Sequence, residues 1–122
     1  MSGTIRFIGI VEKVEGDYTT LLIDPEYIPG IEGLDKFKRI NILYWFHKAD
    51  NLAQRAILRV VPRHHGATEE RGVFASHSPH RPNPIGLTTV DLLNIEGNRI
   101  LVHGLDAIEG SPIIDIKPDE HI

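Results

Sequence analysis

The chain has 122 residues, of which 41% are hydrophobic and 25% are charged, and its formal net charge is −4. This length and composition are typical of one globular domain with its own hydrophobic core. The absence of cysteine excludes disulfides and thiolate metal sites. The sequence shows no signal-peptide pattern and no apolar run of membrane-spanning length, so we expect a cytoplasmic protein without membrane contact.

The hydrophobic pattern predicts strands that are joined by short turns. Ile5 to Val14 alternates between apolar and polar residues, with Gly9 at a bulge or at a close backbone approach. A hairpin turn signal at Gly16 precedes the returning strand, Tyr18 to Ile23. One helical turn is predicted between Ile31 and Phe37. Further strands are predicted at Ile40 to Phe46, Arg55 to Val61, Ile85 to Ile95, Arg99 to Leu105 and Ile113 to Ile116. Residues 1–122 are therefore predicted to form a single all-β domain, either a barrel or a sandwich, with few short helical turns.

The stretch from Gly72 to Leu87 carries the most specific pattern in the chain. It reads Gly-Val-Phe-Ala-Ser-His-Ser-Pro-His-Arg-Pro-Asn-Pro-Ile-Gly-Leu. Its first four residues predict a short buried strand, and the residues that follow alternate polar side chains with three prolines. Because each proline fixes its own φ and restricts the residue before it, this loop is expected to be rigid. Such a loop suits a polar ligand, and the alternative is a stiff polar connection that binds nothing.

This stretch resembles the signature of the YaeB/TsaA-like family, S-adenosylmethionine-dependent methyltransferases that methylate N6 of threonylcarbamoyladenosine at position 37 of tRNA, beside the anticodon. The family signature reads roughly Gly-Val-Phe-Ala-Thr-Arg-Ser-Pro-x-Arg-Pro-Asn-Pro-Ile-Gly-Leu. A second family motif, Asp-Gly-(Ser/Thr)-Pro-(Val/Ile)-(Leu/Ile)-Asp-Ile-Lys-Pro, is matched by Glu109 to Pro118. Two long matches in the same order are far more specific than a lone glycine-rich triplet.

The resemblance implies a β-barrel that forms a homodimer, binds S-adenosylmethionine and acts on tRNA. It places the methyl donor on the region from Gly72 to Leu87, near the dimer interface. The candidate cofactor-binding residues are Ser78, His80, Arg81, Asn83, Ile85, Gly86 and Leu87. The Asn83 amide lies between two prolines and offers both a donor and an acceptor, which suits an adenine edge or a donor carboxylate. The alternative for Asn83 is an Asx-turn.

Methyl transfer from a sulfonium requires alignment of donor and nucleophile, and removal of a proton when the nucleophile is poorly basic. The candidate catalytic residues are Asp115, Lys117 and His80, with His77 as a further possible base. Lys117 or Arg81 would stabilise developing negative charge. Asp115 and Lys117 are two residues apart on a predicted strand and therefore face the same side. Their alternative is a solvent-facing ion pair, which contributes little to stability.

Basic residues concentrate between Pro62 and Pro82, where three arginines and four histidines stand against two glutamates. This local concentration permits phosphate contact and therefore a tRNA partner, although the net charge does not demand one. The candidate RNA-binding residues are Arg63, Arg71 and His77. The same histidines raise the alternative of a zinc site built from His64, His65, His77 and His80. We do not expect a metal, because the family usually has arginine at the position of His77.

Two alternatives to a tRNA methyltransferase stay open. The family carries a Pro-Arg-Gln element at its donor site, and no such triplet occurs between Val11 and Pro29. The acceptor could be a small metabolite instead of tRNA, which the negative charge and the short chain favour. The chain could also bind an adenosyl ligand without catalysing its turnover.

Overall fold

Strands make up most of the regular structure in this computed structural model, which describes residues 1–63, 66 and 68–120. The strands are β1 (Gly9–Glu15), β2 (Tyr18–Ile23), β3 (Arg39–Trp45), β4 (Arg59–Val60), β5 (Arg71–Gly72), β6 (Ile85–Glu96), β7 (Arg99–His103) and β8 (Pro112–Pro118). One short α-helix, α1, spans Leu52–Arg55, and 3₁₀ turns lie at Pro25–Ile31, Leu34–Lys36, His47–Ala49 and Val73–Ala75. Among the described residues no helix is long and apolar enough to cross a membrane.

Six of these strands close into a barrel in the order β1-β2-β7-β6-β3-β8. Antiparallel pairing of β8 with β1, in which Gly9 lies opposite Ile113, joins the two ends of the sheet. The predicted all-β barrel is confirmed, and the alternative of a sandwich is wrong. Closure leaves the six strands of the barrel without a free edge, which removes the usual site of strand-to-strand aggregation.

The core of the barrel follows from the alternation of side chains along each strand. Successive side chains point to opposite faces of a strand, so every second apolar residue enters the interior. The nearly fully buried side chains of the barrel are Val11, Leu21, Ile23, Ile40, Ile42, Tyr44, Val90, Ile100, Val102 and Ile113. Burial of each such side chain stabilises the fold by about 1.5–3 kcal/mol. The strand register is therefore fixed, because a shift of one residue would expose this whole set to water.

Gly9 lies where two strand backbones approach each other closely. A Cβ at this position would clash with the carbonyl oxygen of Leu22 on β2. The close approach expected at Gly9 is therefore present, and the bulge in β1 lies further along, between Val11 and Lys13. The hairpin turns at Gly16 and Gly97 have φ of 60° and 63°, a conformation that glycine adopts without strain.

Two predicted strands begin four residues too early, whereas the strand predicted to end at Leu105 ends at His103 and the one predicted from Ile113 to Ile116 spans Pro112–Pro118. The first strand begins at Gly9, not at Ile5. The strand predicted from Arg55 to Val61 is reduced to the two residues of β4, because Arg55 ends α1 and residues 56–58 form a turn and irregular backbone. The side chain of Asn51 starts this helix, since its Oδ1 accepts a hydrogen bond of 2.9 Å from the Gln54 amide.

The chain groups into two compact units. One contains most of the barrel and comprises Met1–Trp45 with Leu87–Ile122, and we call it the barrel unit. The other comprises Phe46–Gly86 and is called the loop unit. The single domain predicted for residues 1–122 stays a prediction.

Candidate functional site

The signature stretch begins in the loop unit with a 3₁₀ turn at Val73–Ala75. The short buried strand predicted for Gly72 to Ala75 is wrong, since only Gly72 pairs in β5 and only Val73 is buried. Phe74 is 81% exposed. The reason is one hydrogen bond to a residue distant in sequence and one within the turn. The Val73 amide donates to the Leu58 carbonyl and the Ser76 amide donates to the Val73 carbonyl, which turns the chain after one buried residue.

Two serine hydroxyls hold the backbone that follows this turn. The Ser76 Oγ donates to the Val73 carbonyl at 3.2 Å and accepts from the Ser78 amide at 3.3 Å. The Ser78 Oγ in turn accepts from the His80 amide at 3.1 Å. Short-range bonds of this kind let a chain turn without a sheet or helix. Ser78, a predicted donor-binding residue, therefore also shapes the loop.

Two guanidinium groups lie along the same backbone. Arg81 donates from Nη1 to the carbonyls of Ser76 and Ser78, at 3.0 and 3.1 Å. Arg71 donates from Nη1 to the Ala75 carbonyl at 3.3 Å. Within the described part of the chain, neither arginine forms a salt bridge with a carboxylate. Both positive charges are thus held in place but not neutralised, which is the state in which an arginine binds an anion best.

The imidazole of His80 has a buried nitrogen with an unused hydrogen-bonding capacity. Its Nδ1 is buried and has no hydrogen-bond partner among the described residues. Most buried polar atoms are hydrogen-bonded, so this nitrogen has a hydrogen bond available for a ligand or a water molecule. His80 lies beside Ser78 and Arg81, and the assignment of the three residues to a donor site stays a prediction. His77 is exposed.

The proline-rich end of the stretch is fixed from α1. Arg55 donates from Nε to the Pro82 carbonyl at 2.8 Å and from Nη1 to Asp50 Oδ1 at 2.9 Å. Pro84 is buried, and its carbonyl accepts from the Phe46 amide at 2.7 Å. Sequence reasoning missed Arg55 and Asp50, and no sequence signal marks an arginine that will bind a distant carbonyl.

Four other predicted donor-binding residues lie around the start of β6. Asn83 is exposed, and its backbone carbonyl accepts from the Ile85 amide at 2.7 Å. Ile85 is half-buried and Gly86 is buried, and both belong to the loop unit. Leu87 is 52% exposed and belongs to the barrel unit. The Asn83 side chain therefore points its amide at solvent, where a ligand can reach it.

Asp115 and Lys117 lie on β8 in the barrel unit. They face the same side, and their side chains form an ion pair of 3.9 Å, with exposed fractions of 50% and 64%. Asp115 Oδ1 also accepts from the Ile116 amide at 2.9 Å. The ion pair proposed as the alternative for these residues is present, and at this exposure it contributes little to stability. Asp115 lies next to a β8 irregularity opposite Leu43 and Tyr44, a feature that reorients side chains.

Asp115 also lines a cleft of about 310 Å³ in the barrel unit. Another wall comes from the 3₁₀ turn at Pro25–Ile31 and from Leu34, which lies in the helical turn predicted between Ile31 and Phe37. Glu26 and Tyr27 are the other polar residues of its lining, and the rest is apolar or glycine. Sequence reasoning missed this cleft, because nothing in the residues from Pro25 to Ile31 shows which strand they cover.

The predicted RNA-binding residues all lie in the loop unit. Arg63, Arg71 and His77 are exposed. In that part of the chain whose structure is described, no three metal-ligating side chains come together. His64 and His65, which the alternative zinc site requires, lie outside the described residues.

Comparison with solved structures supports the fold. Over 97% of its length the chain superimposes on the crystal structure of TrmO from Pseudomonas aeruginosa, with a TM-score of 0.72 and 27% identity. It covers 56% of that chain. A second TrmO crystal structure gives a TM-score of 0.73 with 29% identity and 57% of its chain covered. The chain therefore spans little more than half the length of these structures.

Sequence relatives and a family model point to the same family as the solved structures. A probable S-adenosyl-L-methionine-binding protein of Methanothermobacter thermautotrophicus is 52% identical over 106 residues, which are 87% of this chain and 72% of that protein. The human tRNA (adenine(37)-N6)-methyltransferase is 44% identical over 95 residues, 78% of this chain and 20% of that protein. The model of the tRNA-methyltransferase O N-terminal domain matches residues 10–120. The resemblance seen in the sequence is confirmed, and the chain belongs to the tRNA-methyltransferase O N-terminal domain family.

Proposed function

We propose that this chain is an S-adenosylmethionine-dependent methyltransferase that acts on N6 of an adenosine in tRNA. The observation that carries the proposal is the hydrogen-bonded loop after Val73. Two guanidiniums bond to its backbone carbonyls, and among the described residues they form no salt bridge and the buried Nδ1 of His80 has no hydrogen-bond partner. Membership of the family and the names of the relatives, which include an S-adenosyl-L-methionine-binding protein and a tRNA methyltransferase, support it.

The loop residues have the chemistry that the donor requires. S-adenosylmethionine carries a carboxylate, an amino group and an adenine, and it supplies a methyl group on a positively charged sulfur. Arg81 offers a fixed guanidinium for the carboxylate, and Asn83 offers an exposed amide for the adenine edge. The unpartnered Nδ1 of His80 offers one further hydrogen bond. These assignments extend to Ser78 and to the backbone of Ile85, Gly86 and Leu87.

The acceptor nitrogen requires the removal of a proton. An acylated N6, as in threonylcarbamoyladenosine, is poorly basic, so its proton must be removed as the methyl group is transferred. We assign proton removal to His80 or Asp115 and stabilisation of negative charge to Lys117. Arg63, Arg71 and His77 supply the contacts to RNA phosphates. In the named relative the modified position is adenine 37, and we propose the threonylcarbamoyl derivative at that position as the substrate here.

Calorimetric titration with S-adenosylmethionine tests the donor site. We expect the wild type to bind and the double variant Arg81→Ala, Asn83→Ala to bind at least tenfold more weakly, because each of the two substitutions removes a polar contact to the ligand. Arg59→Ala is the matched control, since this exposed arginine of the same unit is paired with Glu70 and is expected to leave donor affinity unchanged. Equal affinity of all three proteins would contradict the assignment of the loop.

Methyl transfer in a single turnover tests the acceptor. We expect label from the donor to enter tRNA, and to enter tRNA that carries threonylcarbamoyladenosine faster than tRNA that lacks it. Transfer to a small-molecule fraction but not to tRNA would favour the metabolite alternative. Donor binding without any transfer would favour a binding protein. Sedimentation of the purified chain tests the homodimer, which also stays a proposal.

A further inference from the structure

The two units differ in charge far more than the net charge of the chain suggests. The loop unit contains six lysines and arginines against three carboxylates, a net side-chain charge of +3 with neutral histidines. The barrel unit contains seven lysines and arginines against fourteen carboxylates, a net side-chain charge of −7. Five of the seven histidines also lie in the loop unit. A polyanion is therefore attracted to the loop unit and repelled by the other.

Phe74 is an exception among the phenylalanines. Phe7 pairs with the ring of Trp45 at a centroid distance of 5.9 Å, and Phe37 and Phe46 are half-buried. Phe74 is 81% exposed and has no ring partner among the described residues. Exposure of an aromatic ring to this extent places an apolar surface in water with no gain for the fold.

The ring of Phe74 is nevertheless held on a fixed backbone. The neighbouring Val73 is 1% exposed, and its amide is bonded to Leu58. The 3₁₀ turn is closed by the Ser76 amide and hydroxyl, both of which bond the Val73 carbonyl. Arg71 reaches the carbonyl of Ala75, the residue after Phe74. The exposed ring therefore lies one residue from the carbonyl that holds the Arg71 guanidinium, which forms no salt bridge among the described residues. Proteins bind an unstacked base and its phosphate with an exposed ring and a nearby cation.

We propose that Phe74 is a stacking platform for an unpaired base of the RNA, and that Arg71 contacts a phosphate next to that base. This inference rests on the proposed function, because it names the part of the loop unit that a tRNA would contact. It adds a base contact to the phosphate contacts assigned above. It also explains why the ring is exposed at the start of the signature loop and not packed into a core.

The test uses fluorescence anisotropy with two labelled RNA hairpins of the same stem. One has the single-stranded anticodon loop, and the other, the paired hairpin, has an extended stem that is closed by a synthetic linker without bases. We expect Phe74→Ala to weaken binding of the looped hairpin about 5-fold to 150-fold, the range for loss of one base stack. Binding of the paired hairpin should be unchanged, because it offers no unstacked base. Phe74→Trp should bind the looped hairpin as tightly as the wild type or more tightly.

Two control variants separate stacking from other effects. Leu52→Ala removes an aliphatic side chain of the same unit that is 91% exposed, and it should leave both affinities unchanged. Arg71→Ala should weaken both hairpins and reduce the slope of log affinity against log salt concentration by about 1. Phe74→Ala should leave that slope as it is.

The outcomes distinguish the inference from the function on which it rests. If the wild type binds neither hairpin, the proposed tRNA function fails with it. If the wild type binds and Phe74→Ala binds equally well, the stacking platform is wrong and the tRNA function stands. If Phe74→Ala changes the sedimentation behaviour of the free protein, and the looped and paired hairpins weaken alike, the ring belongs to a contact between two copies and the inference is overturned.

Discussion

The barrel unit and the loop unit use different interactions to reach a defined shape. The barrel unit relies on backbone pairing between strands and on apolar side chains that alternate into its interior. The loop unit has strands of only two residues, and its backbone is held by side chains, chiefly Ser76, Ser78, Arg55 and Arg81. The first arrangement is insensitive to the identity of outward side chains. The second uses the polar groups that a ligand would also contact, so shape and binding are expected to change together.

The largest expected effect tests the core of the barrel unit. Ile100 is fully buried on β7, and Ile100→Ala should lower the free energy of unfolding by about 2–5 kcal/mol through lost burial and a residual cavity. Chemical denaturation measures this change. Leu93→Ala on the neighbouring β6, where the side chain is 47% exposed, is the control and should cost less than half as much. Equal costs would mean that the alternation does not define the core.

A second change tests the close contact of β1 with β2. Gly9→Ala introduces a Cβ that clashes with the backbone carbonyl of Leu22, so we expect a loss of about 1–3 kcal/mol or more in the free energy of unfolding. Gly3→Ala is the matched control, because nothing lies within 4 Å of a Cβ at that position. Thermal and denaturant unfolding should therefore show a lower stability for Gly9→Ala and wild-type stability for Gly3→Ala. Wild-type stability of Gly9→Ala would contradict the close approach of the two strands.

A third change tests the bracing of the loop unit. Arg55→Ala removes the bond to the Pro82 carbonyl, and we expect the Phe46 amide, which is bonded to Pro84, to exchange its hydrogen about tenfold faster. The Leu21 amide in the barrel unit should exchange at its wild-type rate. Donor affinity should fall in parallel, since the bond fixes the loop that carries Asn83. Faster exchange in both units would show that they do not respond separately.

The smallest expected effect is a pH dependence in the barrel unit. Burial raises the pKa of the Tyr44 hydroxyl above its ordinary value of 10.0, and the hydrogen bond with Thr88 offsets part of this. The unfolded chain therefore loses this proton first. Stability from this group is complete below about pH 10 and is lost as the pH rises towards the higher pKa of the folded state.

Denaturation at a series of pH values measures this dependence. The free energy of unfolding of the wild type should fall more steeply above about pH 10 than that of Tyr44→Phe. At neutral pH the free energy of unfolding of the variant should be lower by about 0.5–1.5 kcal/mol, because phenylalanine has no hydroxyl to donate to the Asp106 carbonyl. Parallel curves for the two proteins would contradict the shifted pKa.

Features set by local pattern were predictable from the sequence. The bounds of β2, Tyr18–Ile23, were predicted correctly, because alternation and the preceding glycine turn both mark them. The longest strand was also found, with its end one residue later than predicted. Features set by distant partners were not predictable. The Val73 amide donates to the carbonyl of Leu58, so the apolar run after Gly72 became a turn and left Phe74 in solvent.

The site shows the same division. Ser78, His80 and Arg81 were assigned to one donor site because they lie within four residues of a stretch that resembles a family signature, and this assignment stays a prediction. The bonds of Arg81 to two backbone carbonyls, and of Arg55 to a third, depend on how the loop folds and leave no trace in the pattern. The cleft that Asp115 lines was missed for the same reason, since one of its walls comes from turns without periodicity.

Closure of the barrel by β8 has a consequence for synthesis of the protein. β8 pairs with both β1 and β3, yet it is the last of the six barrel strands to leave the ribosome. Until then the nascent chain exposes two unpaired strand edges, to which other nascent chains can add. A translational pause just before Pro112 would prolong this exposure, and a cell with limited chaperone capacity would then lose the protein to aggregation before folding.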